Sequence, residues 1–262
     1  DSVASRGLGD VYKRQTVPCS ISSEVAPIWR EYDRASSTIA DAFVKPVVSN
    51  YVKQLGEGLS KIELPAPLMI MKSNGGMMSA SSCSNAPIQS MMSGPAGGMI
   101  ACQWIAEALG IDKALTMDMG GTSCDVGIIV NGEQKLTTQF EIEFGLTVSV
   151  PMIDIRTIGA GGGSIAWIDA GGFLQVGPHS AGADPGPACY ALGGSLPTVT
   201  DANLALNRLI PEHFLDGEMT LSRDAARDAL TKISESEKAS VEETATSITQ
   251  ISEDNMANAI RM

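Results

Sequence analysis

The sequence predicts a mixed α/β fold in which a β-rich middle segment is flanked by helices. Apolar residues recur at helical spacing over 38–59. Between 114 and about 168, short apolar runs alternate with glycine-containing turns, which is typical of strands. Helical spacing returns over 201–209, 222–234 and 240–262.

The composition excludes several classes of protein. The chain has 262 residues and a net charge of -12, which argues against a protein that reads a phosphate backbone. No apolar stretch reaches the roughly 18 residues needed to span a bilayer, so we expect no membrane partner. Five cysteines without a CxxC pair, and only two histidines, indicate reduced thiols in a cytoplasmic protein without structural zinc.

The N-terminal part contains three predicted elements after a leader. Residues 1–15 carry no periodicity, so we predict that they are a disordered or artefactual leader and that the fold covers 16–262. Pro46 is expected to kink or split the helix over 38–59. A short strand over 67–72 ends in a turn, and Pro95 lies just inside the start of a helix that ends before Gly110.

The β-rich middle is expected to be built from hairpins. Strands over 114–118 and 124–130 flank a glycine turn, and Asn131-Gly132 predicts the next hairpin turn. The other predicted strands cover 134–140, 144–150 and 152–158. The Gly- and Pro-rich stretch over 170–198 is predicted to be loop.

The turn between the first two of these strands carries the most specific chemistry. It combines two acids, two glycines and two hydroxyls within eight residues: Asp118, Gly120, Gly121, Thr122, Ser123 and Asp125. Paired glycines let backbone N–H groups turn toward one phosphate, and a carboxylate at the end of a buried strand can hold Mg²⁺. The alternative is a plain hairpin with a capping aspartate, which the density of functional groups makes the weaker interpretation.

Two further candidates lie on and just after the predicted strand over 152–158. Gly161, Gly162 and Gly163, in the loop over 159–164, could donate backbone N–H groups to substrate or phosphate, or could serve chain geometry alone. Arg156 could bind a carboxylate or phosphate with two hydrogen bonds, and a surface ion pair is an equal alternative.

The remaining polar candidates have structural explanations at least as good as functional ones. Cys189 as a nucleophile needs a base, and His179 is not placed beside it by any pattern, so a structural thiol is favoured. Asp201 is better explained as a helix-capping residue than as a site acid. Asp184 lies in a proline-stiffened loop that is either a pre-organised site or an ordered turn.

The motifs together resemble a known family. Asp-x-Gly-Gly-Thr-x-x-Asp at 118–125 resembles the second phosphate motif of the actin-like ATPase superfamily. With the segments at 73–76, 93–98, 157–166 and 181–190, the chain resembles the hydantoinase A / 5-oxoprolinase family over about residues 16–262. This resemblance implies an actin-like ATPase (ribonuclease H-like) lobe with a mixed β-sheet and flanking helices.

The resemblance also implies an activity, namely ATP-dependent ring opening of a cyclic amide such as hydantoin or 5-oxoproline through a phosphorylated amide. It implies ATP and Mg²⁺ as cofactors, and a hydantoinase B-type second subunit or fused domain as partner. By resemblance Asp118 and Asp125 are catalytic, Asp118 also holds the metal, and the glycines and hydroxyls bind phosphate. Cys124 stands where the family commonly has Thr, so it is assigned no phosphate contact.

Two other functions stay open. One is a subunit of the acetone/acetophenone carboxylase type, which phosphorylates a ketone, and the other is a non-catalytic actin-like ATPase module. The family's first phosphate motif and its Gly-Gly-Ala-Gly adenosine segment do not occur in this sequence. We therefore expect an interior fragment that is inactive alone, whose C-terminal amphipathic helix packs on the remainder of its lobe.

Overall fold

The computed structural model describes residues 18–143 and 145–261, so the predicted leader lies outside the described residues. The chain divides into two compact units, which are described separately. The first comprises residues up to Ala114 together with Ile128–Asp154, and the second comprises Leu115–Gly127 and Ile155–Met262. Within the described ranges, no helix is both long and apolar enough to cross a membrane.

The described elements confirm the predicted mixture of helices and strands. The helices are α1 (Ser22–Val25), α2 (Glu31–Lys61), α3 (Ala80–Asn85), α4 (Ser93–Ala108), α5 (Val199–Ala205), α6 (Arg223–Glu237) and α7 (Val241–Arg261). The strands are β1 (Met69–Met71), β2 (Met77–Ser79), β3 (Lys113–Met119), β4 (Cys124–Val130), β5 (Glu133–Gln134), β6 (Leu136–Thr137), β7 (Phe140–Glu143), β8 (Leu146–Val148), β9 (Met152–Ile153), β10 (Ile155–Ile158), β11 (Ser164–Ile168) and β12 (Leu174–Ser180). Short 3₁₀ segments occur at Pro87–Ser90, Ala188–Tyr190 and Pro211–Gly217.

Helix α2 is longer than predicted and continues through Pro46, so the predicted split is wrong. Its first turn contains Glu31 and Asp33, whose negative charges favour the positive end of the helix dipole. The helix packs against α3, the 3₁₀ segment Pro87–Ser90 and β8. This packing offsets the backbone hydrogen bond that proline cannot make.

The first unit has its own apolar core and a buried charge. The core residues are Val25, Ala26, Ala40, Ile88, Val148, Val150 and Met152. Asp41 is fully buried, and its carboxylate accepts hydrogen bonds from the Ile88 N–H at 3.1 Å and the Ser20 hydroxyl at 2.5 Å. The Lys45 ammonium lies 3.7 Å from the same carboxylate. The buried charge is therefore paired and hydrogen-bonded, as stability requires.

The strands over 133–158 are shorter than predicted because each pairs with a different neighbour. β5 pairs with β4, β6 with β9, β7 with β8, and β10 with β4, all antiparallel. The predicted strands over 134–140, 144–150 and 152–158 are therefore interrupted where the partner changes. The hairpin turn at Asn131-Gly132 is confirmed, with φ of 55° and 75° at the two residues.

In the second unit the strand order is β10-β4-β3, which leaves β3 at the edge. Most β3 side chains are exposed, so the expectation of a buried strand is wrong for the described residues. β11 and β12 form an antiparallel hairpin. The prediction of loop for the residues of β12, which rested on its Gly and Pro content, is wrong. Gly177 is needed in this strand because an added Cβ would collide with the Gly159 carbonyl oxygen.

The C-terminal helices close the core of the second unit. Helix α7 packs against α5, α6, β10 and β12, and Ala245 and Ile248 on its inner face are fully buried. The apolar face of α7 was expected to pack on the remainder of its lobe. It is instead largely covered by elements of the second unit, although Ile260 is 37% exposed. The predicted capping box is confirmed, since Glu243 accepts from the Ser240 N–H at 2.8 Å and the Ser240 hydroxyl accepts from the Glu243 N–H at 3.2 Å.

Candidate functional site

The turn between β3 and β4 presents its polar groups to solvent. The Gly120 N–H donates to the Ser123 carbonyl at 2.9 Å and closes the turn. Asp118, at the end of β3, is exposed, and its side chain makes no hydrogen bond or ion pair with the described residues. Gly121 and Thr122 are also exposed, and within the described ranges their N–H groups have no hydrogen-bond acceptor. The turn can therefore offer N–H donors and a carboxylate to a ligand.

The glycine loop over 159–164 lies directly on this turn. The Gly162 N–H donates to the Gly120 carbonyl at 3.0 Å, and the Gly163 N–H donates to the Gly121 carbonyl at 2.6 Å. The Gly161 N–H is accepted by the Ser164 hydroxyl at 3.0 Å. The structure brings together two segments that the sequence singled out separately. All three loop N–H groups are occupied by protein acceptors, so the loop supports the turn through its main chain.

Close contact explains why this loop is made of glycine. A Cβ at Gly161 would lie 2.6 Å from the backbone of Gly121 and Thr122, and a Cβ at Gly163 would lie 2.8 Å from the Gly121 carbonyl oxygen. Contacts this short require the backbone to move. The sequence left open whether these glycines bind a ligand or serve chain geometry. Their direct contact with the candidate turn supports the role in chain geometry.

Asp125 lies on β4 opposite Thr157 of β10. The Thr157 hydroxyl donates to the Asp125 carboxylate at 2.5 Å, which fixes the orientation of this half-buried acid. Between the two acids in sequence, Cys124 is fully buried. Burial raises the pKa of the Cys124 thiol, and the negative charges of Asp125 and then Asp118 raise it further. Cys124 is therefore a neutral thiol flanked by two carboxylates, in keeping with its lack of an assigned phosphate contact.

Two residues that the sequence did not single out hold the glycine loop and the β3–β4 turn. The N–H and the hydroxyl of Thr200, at the start of α5, both donate to the Gly162 carbonyl at 2.8 Å. The Ser180 hydroxyl donates to the Thr122 hydroxyl at 3.4 Å. In the sequence, the one feature that could have pointed to these residues is their position. Thr200 lies beside the capping residue Asp201, and Ser180 lies beside the Gly- and Pro-rich segment at 181–190. Their contacts span 38 and 58 residues of chain, beyond the reach of local patterns.

Asp201 caps a helix, as the sequence favoured, but it does so from the third helical position, because the N-cap residue is Thr198 and not Asp201. It is fully buried at the third position of α5 and completes a capping box with Thr198. Its carboxylate accepts from the Cys189 N–H at 2.7 Å, the Ala188 N–H at 3.3 Å and the Thr198 N–H at 2.9 Å. The carboxylate thus joins the start of α5 to the 3₁₀ segment Ala188–Tyr190.

Cys189, His179 and Asp184 are not joined to the turn by any hydrogen bond among the described residues. Cys189 is fully buried, and burial followed by the charge of Asp201 raises the pKa of its thiol. It makes no hydrogen bond with His179 among the described residues, so the structural interpretation of this thiol stands. Arg156, Asp184 and His179 are exposed.

The turn and its support fit an anion together with a divalent cation. Exposed N–H groups and hydroxyls suit phosphate oxygens, and an exposed carboxylate suits Mg²⁺. Among the described residues, no three His, Cys, Asp or Glu side chains are grouped as for a metal held by protein alone. Mg²⁺ in phosphate sites is typically held by one or two carboxylates plus phosphate oxygens, which these residues can supply.

The chain is a mixed α/β protein with an exposed glycine turn and an exposed carboxylate at a strand end. The chain belongs to the hydantoinase/oxoprolinase family, whose sequence profile matches residues 34–262. The resemblance seen in the motifs is thereby confirmed.

Relatives of several activities share this fold. The chain is 41% identical to caprolactamase subunit alpha of Pseudomonas jessenii, over 91% of this chain and 34% of that subunit. It is 42% identical to 5-oxoprolinase of Saccharomyces cerevisiae over 74% of this chain, but it spans 15% of that protein.

Solved structures agree with the sequence relatives. The nucleotide-free structure of acetone carboxylase, described as ATP-dependent, matches with a TM-score of 0.84 and 26% identity, over 92% of this chain and 34% of that one. The crystal structure of the ATP-dependent caprolactamase from Pseudomonas jessenii matches with a TM-score of 0.71 and 38% identity, over 92% of this chain and 35% of that one. The chain thus spans about a third of the length of these structures.

Proposed function

We propose that this chain forms part of an ATP-dependent enzyme that opens cyclic amides through a phosphorylated amide. Family membership and the names of the caprolactamase and 5-oxoprolinase relatives support this proposal. The observation that carries it is the main-chain contact of the glycine loop with the acidic turn, in which Gly162 and Gly163 donate to Gly120 and Gly121. This contact gives a rigid support to a turn whose outer N–H groups are available.

The proposed roles follow from the chemistry of each group. Transfer of the γ-phosphoryl group of ATP to the amide oxygen removes the amide resonance, so that water can add to the amide carbon. The ring C–N bond then breaks as nitrogen takes up a proton, and a second water releases the phosphoryl group as phosphate. The N–H groups of Gly121 and Thr122, with the hydroxyls of Thr122 and Ser123, bind phosphate oxygens. Asp118 holds Mg²⁺, and Asp125, oriented by Thr157, adds a second negative charge beside it. In this proposal Gly161–Gly163 position the turn.

The first test is Asp118→Asn in the complete polypeptide that contains this chain. The side chain keeps its size and loses the charge that holds the cation. We expect lactam-dependent phosphate release and formation of the ring-opened product to fall by about 100-fold or more. Asp112→Asn is the matched control, because Asp112 is exposed just before β3 and lies outside the turn. Equal activity in the two variants would remove Asp118 from the site.

A carboxylase role is the second candidate, because acetone carboxylase matches this fold with a TM-score of 0.84. In that case the phosphorylated group is a ketone or enol oxygen, and bicarbonate or CO₂ is the second substrate. If the complete polypeptide releases phosphate from ATP only when a ketone and bicarbonate are present, and not with lactams, the carboxylase role is supported. Nucleotide binding without turnover on either substrate would select the non-catalytic module.

We also propose a second subunit and a cytoplasmic location. The relative from Pseudomonas jessenii is named as a subunit, which supports a multi-chain assembly. The described cysteines are all free, which supports a reducing compartment. Affinity purification of the complete polypeptide from its own host tests both, through the masses of co-purifying chains and the fraction in which they occur.

A further inference from the structure

The first unit contains an open cavity of about 700 Å³ that the proposed function does not use. Its lining comes from four parts of the unit: the segment around α1 and the start of α2, the turn after β1, the 3₁₀ segment Pro87–Ser90, and the residues on either side of β7 and β8. A volume of several hundred Å³ is typical of pockets that take small molecules.

Among the described residues, one of the two cations that line the cavity has no partner. Asp33 is satisfied by the Thr147 hydroxyl at 2.9 Å and by the Arg30 guanidinium at 3.6 Å. Glu24 also has an interaction partner. The Lys72 ammonium, in contrast, makes no hydrogen bond or ion pair with any described residue, although its side chain is half-buried. An anion brought to Lys72 would therefore not compete with a protein carboxylate.

The rest of the lining is neutral and offers both hydrogen bonds and apolar contact. Asn74, Gln89 and Gln139 supply side-chain amides. Trp29 and Val150 supply apolar surface, and Trp29 is 100% exposed. A large aromatic ring beside a cavity is a contact surface for the apolar part of a ligand, because indole burial contributes strongly to binding.

We propose that this cavity binds a small organic carboxylate. The carboxylate pairs with the Lys72 ammonium, the neutral body of the ligand lies along Trp29 and Val150, and the amides of Asn74 and Gln89 bond its polar atoms. The cavity lies within one unit and this binding does not depend on ATP, so the proposal stands apart from the proposed function.

Ligand-observed NMR on the complete polypeptide tests this directly, with hexanoate and hexanamide as probes. The two probes share their alkyl body and differ in charge. We expect hexanoate to bind in the millimolar range and hexanamide to bind about fivefold to tenfold more weakly. Equal binding of the two probes, or no binding of hexanoate in that range, would overturn the proposal.

Two variants locate the binding in the cavity. Lys72→Met keeps the length of the side chain, and we expect it to bring hexanoate down to the affinity of hexanamide. Lys53→Met is its matched control, because Lys53 is an exposed lysine that pairs with Glu57 outside the cavity. Trp29→Ala removes a ring that no described residue covers, so it leaves the packing of the described residues intact even if Lys72→Met does not. We expect Trp29→Ala to weaken both probes, and unchanged affinity in it or in a folded Lys72→Met variant would refute the assignment.

Discussion

At the scale of single residues, the cysteines of this chain occupy two distinct environments. Cys83, Cys124 and Cys189 are buried, while Cys19 and Cys102 are half-buried. Burial raises the pKa of all three buried thiols, and the carboxylate of Asp201 raises that of Cys189 further. Because only the thiolate reacts, we expect the three buried cysteines to be chemically inert.

Alkylation by iodoacetamide, followed by peptide mass spectrometry, checks this prediction. We expect Cys19 and Cys102 to be labelled at least about tenfold faster than Cys189 in the native state. A raised pKa keeps the thiol protonated as the pH rises, so moderately alkaline buffer should not close the gap. Labelling in denaturant, where all five cysteines should react alike, is the control. Rapid native labelling of Cys189 would contradict the structural role given to it.

The candidate turn could be recognised from sequence because its polar groups are adjacent in the chain, and its role in binding stays a prediction. The turn with Asp118, Gly120 and Gly121 was visible because its acids and glycines fall within a few positions of each other. Thr200 and Ser180 were not visible, because their hydrogen bonds depend on how distant segments pack. The sequence also cannot show which glycine N–H groups are already hydrogen-bonded. Within the part of the chain that the structure describes, those of the glycine loop are bonded and those of Gly121 and Thr122 are not, although both segments are glycine-rich.

At the scale of elements, the contact of the glycine loop with the β3–β4 turn leads to a sharp prediction. Gly161→Ala places a Cβ 2.6 Å from the backbone of Gly121 and Thr122, so one segment must move. We expect a loss of about 1–3 kcal/mol in the free energy of unfolding, and a larger proportional loss of ATP-dependent activity because the turn is displaced.

Thermal unfolding and phosphate release measure the two effects. Gly94→Ala is the control, because a Cβ at Gly94 meets nothing within 4 Å. If Gly161→Ala is as stable and as active as the control, the loop does not position the turn.

Element prediction was best where one local signal decides the structure. The capping box at Ser240, the hairpin turn at Asn131 and the proline at the start of α4 all depend on neighbouring residues, and all three elements occur as predicted. Helix α2 and strand β12 were mispredicted because tertiary packing outweighs the local cost of Pro46 and Gly177.

At the scale of the whole molecule, the two units should respond separately to a core mutation. Asp41→Ala leaves Ser20, Lys45 and the Ile88 N–H without their buried acceptor, and we expect a loss of about 3–5 kcal/mol in the stability of the first unit. Hydrogen exchange should therefore accelerate in α2 by more than in α7, which packs within the second unit.

Asp201→Asn is the reciprocal variant, because it disturbs a buried carboxylate of the second unit. In that variant exchange should accelerate in α5 and α7 by more than in α2. Equal acceleration of both units in either variant would show that they unfold as one body.

The sequence predicts the mixed α/β class correctly, but it gives no sign of two units. Their boundaries fall inside β3 and β4, after Ala114 and Gly127. No change of composition marks these points, since the strands continue through them. Because tertiary packing alone divides the chain within these strands, the sequence near the boundaries contains no signal of the division.

The support given to the turn by distant segments also affects how the protein is made. A ribosome synthesises the turn at 120–122 before the loop at 161–163, and Thr200 follows 38 residues after Gly162. Until Thr200 has left the exit tunnel, the Gly162 carbonyl lacks both of its hydrogen bonds from that residue. The nascent chain therefore carries the complete motif before it can hold the motif in place, and the site should form only after Thr200 has been synthesised.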